Sequence, residues 1–415
     1  MIPYKRYQLK NGLKLLVHQD DQVDIAAVNL MYNVGSRDED PDITGLAHLF
    51  EHLMFEGSEH IPVFDRALEV AGGENNAFTN SDITNYYITL PAVNLETALW
   101  LESDRMKALK LTQEKLDIQK SVVIEEFKQR YLNQPYGDVW SLARMLSYKV
   151  HPYQWSTIGK DISHIEKVDL DIAYEFYSTF YAPDNAVLAI ASPMKEEQVF
   201  QLVKKWFADI PPAPVHYERS LDREPEQEES RYQEVERDVP SAMIVKTYHM
   251  ADRLSENYYI HDLISDILAS GESSRLKQEL VKNQELFTQI DAYISGDIDP
   301  GLLVISGKVN DETDIEKANQ GIEEQINKMT SKEVPLEELQ KAQNKALLRI
   351  EEEKAGVLEK AMNLSFYELL GDVELYERQI NYYITITPRQ LHTECKRIFA
   401  GNNQNTLFYK AKGLQ

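Results

Sequence analysis

The alternation of apolar and polar positions changes character several times along the chain. Tyr7-Gln8-Leu9-Lys10 and Leu13-Lys14-Leu15-Leu16-Val17 are strand-like runs on either side of Asn11-Gly12. That dipeptide readily takes two positive-φ turn positions, so a hairpin is predicted. A further strand is expected over 24–33, after which the polar segment from Gly35 to Pro41 interrupts it and 43–55 shifts to a helical period. Residues 85–90 read as a strand, 94–109 and 112–131 as two long helices, 185–191 as a strand and 195–208 as a helix.

Prolines at 211, 212 and 214 then introduce a charged, poorly apolar stretch that reads as a connector. Beyond it, strands are expected at 242–248 and 302–307, and helices at 256–268, 315–329 and 336–360. The order broadly repeats that of the first half. The pattern therefore predicts an α+β chain of two related domains, 1–210 and 237–415, joined by a charged interdomain linker over 211–236.

Composition narrows the function. Of 415 residues 43% are hydrophobic, enough for substantial cores, and 44 basic against 68 acidic residues leave a formal charge of -24. Such a balance repels phosphates and anionic lipid, so neither nucleic acid nor membrane is an expected partner. Cys395 is the single cysteine, which excludes an intrachain disulfide and a four-cysteine zinc site. The N-terminal residues run directly into strand-like alternation without the apolar stretch of a secretory signal, and a cytoplasmic protein is expected.

His48-Leu49-Phe50-Glu51-His52 carries the most chemistry. At about 100° per residue the two histidines fall within roughly 40° of one another on a helix, with Glu51 on the adjacent flank. Neutral imidazoles at i and i+4 can ligate zinc together while the carboxylate between them remains available as a base. Leu49, Phe50, Leu53, Met54 and Phe55 surround them with apolar residues, and burial makes unpartnered imidazoles costly. A third ligand is needed. Glu125 and Glu126, following Val122-Val123-Ile124 inside an expected helix, are the two candidates that the residue pattern leaves open.

The chain resembles the M16 metallopeptidases, the pitrilysin, insulin-degrading and mitochondrial-processing peptidase family, and its short bacterial members in particular. That family carries HxxEH followed about 75 residues later by a glutamate ligand; Glu126 stands 74 positions after His52. Gly45 to Phe55 is similar to the motif helix and Gly72-Gly73-Glu74-Asn75-Asn76-Ala77-Phe78-Thr79 to the active-site strand region, while His151-Pro152-Tyr153 and Tyr181-Ala182-Pro183-Asp184-Asn185 extend the likeness. The resemblance implies zinc ligated by His48, His52 and Glu126, with Glu51 as general base. It implies an antiparallel sheet packed by helices in each domain, the chain forming half of a peptide-enclosing chamber.

The same resemblance implies substrate binding by Asn76, Ala77 and Phe78, which suit backbone pairing with an extended peptide or a small unfolded protein. Two departures stand out. Gln119, seven positions before Glu126, replaces a glutamate common in the family and cannot supply its charge. Val281 and Thr288 stand where complete family centres carry an arginine and a tyrosine, donors that orient substrate and stabilise oxyanion charge. A related subunit carrying that Arg/Tyr pair is therefore the expected partner, with a homodimer as the other arrangement. Competing readings are a noncatalytic peptide-binding or assembly subunit and, from the donor set alone, a non-haem iron site.

Overall fold

The computed structural model describes residues 2–215, 217, 219 and 222–413, so four positions of the expected 211–236 linker and the residues at both chain ends lie outside the described set. In the first half the elements are β1 (Lys5–Gln8), β2 (Lys14–Gln19), β3 (Ile25–Tyr32), α1 (Leu46–Leu53), α2 (Phe64–Val70), β4 (Glu74–Thr79), β5 (Thr84–Pro91), α3 (Leu95–Ala108), α4 (Gln113–Phe127), α5 (Val139–Ser147), α6 (Ile162–Glu166), α7 (Leu170–Phe180), β6 (Ala186–Ser192) and α8 (Glu196–Phe207). There follow β7 (Arg231–Arg237), β8 (Met243–His249), α9 (Glu256–Ala269), β9 (Phe287–Ile294), β10 (Leu302–Val309), α10 (Ile315–Ser331), α11 (Leu336–Glu353), α12 (Val357–Leu369), α13 (Leu375–Thr385), α14 (Pro388–Ile398) and β11 (Gln404–Ala411). This is the expected α+β class.

Two sheets organise these elements, with strand orders β1-β2-β6-β3-β5-β4 and β7-β11-β8-β10-β9. Each is antiparallel but for one parallel pair, β2 with β6 and β7 with β11. Leaving β1 aside, the two orders correspond strand for strand, which is the internal relationship that the repeated pattern of elements predicted.

The units built around the sheets are not contiguous in sequence. One comprises Met1–Phe127, Trp155–Leu221 and Ile350–Glu377, and the other Lys128–Gln154, Asp222–Arg349 and Arg378–Gln415. The chain thus passes between them at five points, of which the one after Leu221 falls within 211–236. Residues 231–236 of the expected linker belong to β7, where pairing with β11 outweighs their polar composition. In the first unit Arg219 is held by both carboxylate oxygens of Asp38, at 2.6 and 2.7 Å. In the second, Glu224 accepts the backbone N–H groups of Lys149, Val150 and His151.

Two local expectations change. Gln8 pairs with Lys14, so the first hairpin closes through five residues rather than two. Gly12 alone of the expected pair takes positive φ, +95°, while Asn11 donates its amide to the carbonyls of Phe207 and Ile210. The single helix expected over 336–360 is two, α11 and α12, because Gly356 is extended and caps the second.

Within the first unit, alternation along the sheet sends neighbouring residues to opposite faces. Asn29 reaches α12, donating to Ser365 at 2.5 Å and accepting from Asn85 at 2.9 Å. Tyr86, one residue after Asn85, points the other way and donates to the Phe50 carbonyl of α1 at 3.3 Å. Beneath that face lies an ion pair: Arg105, 2% exposed, binds Glu102, 0% exposed, through Nε at 2.8 Å and Nη2 at 2.5 Å. The guanidinium also lies 4.3 Å from the Tyr86 ring centre and 4.8 Å from that of Phe64. Removing one partner of such a pair leaves a buried charge. Glu102→Gln is expected to lower unfolding free energy by about 3–5 kcal/mol, read as a shift of the urea midpoint.

Candidate metal centre

Eight residues make a marginal helix, so α1 depends on its surroundings for its place. Leu46, Ala47, Leu49, Phe50 and Leu53 are buried, and the Phe50 ring lies 5.1 Å from Phe176 and 5.3 Å from Tyr181. At its start Gly45 has φ +94°, and a side chain there would come within 2.8 Å of the Ile158 carbonyl oxygen. The Glu39 carboxylate supplies what Gly45 cannot. It accepts the N–H groups of Gly45 and Ala47, each at 2.9 Å, and the Trp155 indole at 3.1 Å. Burial pushes the Glu39 carboxyl up to about 8, against the pull of these three donors. At the far end Lys115 of α4 donates to the Glu56 carbonyl at 2.6 Å, and Gln119 of α4 donates to the Glu56 carboxylate.

With the backbone so held, the polar flank of α1 faces α4. His48 Nε2 lies 3.7 Å and His52 Nε2 3.6 Å from the same Glu126 oxygen, and the two imidazoles stand 4.9 Å apart and nearly perpendicular. One donor atom from each of the three residues falls within 4.8 Å of the others. Their side chains are 13%, 25% and 17% exposed. Tetrahedral zinc with bonds of about 2.0–2.2 Å sets neighbouring donors about 3.4 Å apart, close to the histidine–carboxylate separations found here. Two imidazoles and one carboxylate also leave a fourth position for water, so the residues fit the metal. Glu125, by contrast, is exposed.

Glu51 lies on the same helix between the histidines, and its Oε2 accepts the Thr79 hydroxyl at 2.5 Å. Thr79 ends β4, an edge strand paired only with β5 among the described strands. Asn76 and Phe78 are exposed on that strand, Ala77 is half-buried, and the Asn76 side chain accepts the Ala77 N–H at 2.8 Å. Glu51 and the expected peptide-binding residues therefore meet through Thr79. Gln119 lies on α4 two turns before Glu126 and is bound to Glu56. Val281 and Thr288 belong to the other unit; Thr288 is exposed on β9, and its hydroxyl donates to the Lys308 carbonyl at 3.3 Å.

Thr79, Glu39 and Glu56 are the contributors that the sequence pattern did not single out. Thr79 sits in the quoted strand region but offers no periodic signal. Glu39 lies in the polar segment read as an interruption. Nothing local marks either as a partner of α1.

The profile described as Insulinase (Peptidase family M16) matches residues 14–139, and that described as Peptidase M16 inactive domain matches 167–346. A zinc protease, PqqE, of Helicobacter pylori is 31% identical over 294 residues, covering 68% of this chain and 64% of its own length. The crystal structure of a protease from Helicobacter pylori superposes with a TM-score of 0.94 at 25% identity, over 99% of this chain and 100% of that one. A structure titled peptidase M16 inactive domain, from Pseudomonas fluorescens, gives 0.88 at 16% identity over 98% of each chain and shares the fold.

Glu39→Ala is expected to destabilise the metal-free protein by about 1–3 kcal/mol, since it orphans buried donors. Because burial raises the folded carboxyl from 4.5 to about 8, its contribution is full below the unfolded value and is lost as pH rises through 8. The difference in urea stability between the two proteins should shrink from pH 5 to pH 8; a difference that grows over that range contradicts the raised carboxyl.

Proposed function

The chain belongs to the M16 peptidase family, and on that premise we propose that it is a zinc-dependent endopeptidase acting on unfolded peptides or small proteins. The observation that carries the reading is the convergence of His48, His52 and Glu126, beside a carboxylate, Glu51, held by Thr79. Zinc bound there would lower the pKa of water and polarise the scissile carbonyl. Glu51 takes the proton of the attacking water and returns it to the leaving nitrogen, so hydrolysis proceeds without a covalent enzyme intermediate. The Thr79 hydroxyl fixes one oxygen of Glu51, which keeps the carboxylate from swinging out of reach.

An extended peptide added to the open side of β4 would pair through backbone groups that every sequence shares, with Asn76, Ala77 and Phe78 along its path. Because β4 leads through Thr79 to Glu51, this edge carries the amide toward the base. Val281 and Thr288 supply neither a cation nor a phenol, so oxyanion stabilisation is assigned to a related subunit bearing an arginine and a tyrosine. A homodimer using other donors is the alternative assembly. A cytoplasmic site of action completes the proposal and rests on the lone, buried Cys395. No helix among the described residues is long and apolar enough to cross a membrane.

A noncatalytic role as a peptide-binding subunit is the second reading, favoured by the inactive-domain description of 167–346. That stretch contains none of His48, Glu51, His52 and Glu126, all of which fall in 14–139, so the endopeptidase reading is preferred.

Anomalous diffraction at the zinc edge should place one ion among His48, His52 and Glu126, and His48→Ala or His52→Ala should abolish it. Glu51→Gln should retain the ion while slowing peptide cleavage by about two to four powers of ten. Cleavage of a quenched peptide library should be efficient only when this chain is mixed with the related subunit, and should fall when that subunit's arginine or tyrosine is replaced. Equal turnover by the isolated chain at the same zinc occupancy would refute the divided centre, and absence of turnover under every condition would favour the noncatalytic role.

A further inference from the structure

The three metal donors come from two helices with no short covalent link: fifty-nine residues lie between Leu53, which ends α1, and Gln113, which begins α4. A metal site tolerates errors of only about 0.5 Å in its ligands. Something other than the backbone connection must therefore hold α1 and α4 in register.

Along α4, Lys115, Gln119 and Glu126 form one stripe, since separations of seven and eleven residues return to within about 20° of the starting direction. All three act on α1 or its immediate continuation. Glu126 meets the histidines, Gln119 donates its amide to the Glu56 carboxylate, and Lys115 donates to the Glu56 carbonyl at 2.6 Å. Glu56 itself is tied to α1 by its N–H, which donates to Leu53 at 3.0 Å. The other amide atom of Gln119, its oxygen, is buried and has no hydrogen-bond partner among the described residues. Glu56 is thus the side chain that orients the Gln119 amide.

We propose that Glu56 and Gln119 are a positioning pair for the metal centre, working as one carboxylate and one amide across the seam between α1 and α4. The inference rests on the zinc reading above. Its chemistry is specific. A carboxylate at both positions would set two negative groups against each other with no donor between them, whereas an amide at both would remove the charge-assisted bond. Exchanging the two groups preserves one donor, one charged acceptor and the total charge. The pair is therefore expected to tolerate exchange but not single replacement.

The test is a double-mutant cycle in the full chain, with wild type, E56Q, Q119E and E56Q/Q119E. Zinc affinity is measured by competition with a chromophoric chelator, and urea unfolding of the metal-free proteins is measured in parallel. Each single variant is expected to bind zinc about tenfold more weakly, and the exchanged pair to return to within about threefold of wild type, with metal-free stability varying much less. Single variants that bind as wild type, or an exchanged pair weaker than either, overturn the proposal. So does a loss of affinity that follows metal-free stability across the four proteins, which assigns the pair to folding alone. Failure of the zinc reading is seen separately, as wild type that binds no zinc or a His48→Ala variant that binds it equally well.

Discussion

An eight-residue helix that must present two imidazoles and a carboxylate on one flank, with nothing but apolar side chains on the other, is the constraint around which the first unit is built. Too short to hold itself in water, α1 is fixed by what it touches. Phe50 and its aromatic neighbours seat its apolar side, the Glu39 carboxylate satisfies its first N–H groups, and α4 takes hold of its end through Lys115 and Gln119. Each of these contacts acts on backbone placement, and the donor geometry follows from it.

The same economy links chemistry to substrate. The Thr79 hydroxyl that donates to Glu51 comes from the last residue of β4, an edge strand among the described strands. Displacement of β4 would therefore disturb Glu51, the proposed base, as well as any peptide lying along the strand. On the proposed reading the accuracy of proton transfer depends on sheet register, and register in turn on the pairing of β4 with β5 from Glu74 opposite Thr89 to Thr79 opposite Thr84.

The strand and helix series was largely legible from periodicity, because most elements bury one face and expose the other. Histidines four residues apart within an apolar helix were legible for the same reason. What periodicity does not carry is partnership between distant segments. Residues 336–360 read as one helix since nothing in the apolar repeat announces the extended Gly356, and the parallel pairing of β2 with β6 joins residues more than 160 positions apart. Choosing Glu126 over Glu125 needed the family pattern, as adjacent acids on a helix differ only in direction. Glu39 and Glu56 were invisible because their roles consist of bonds to backbone or amide groups of other elements, and an isolated glutamate looks the same whether it caps a helix or faces water.

The interleaved order of segments bears on how the protein is made. The candidate metal donors are complete once residue 126 has been synthesised, yet α12, which packs on β3 and β6 and is tied to Asn29, ends at Leu369. At about 5–20 residues per second a ribosome needs on the order of 10–50 s to cover that interval. For that time the central strands of the first unit carry bare apolar surface, while β7 to β10 and α9 to α11 are already emerging with surfaces of their own. The nascent chain is thus a substrate for chaperone capture before its first unit is complete, and translation speed through the second half sets how long that exposure lasts.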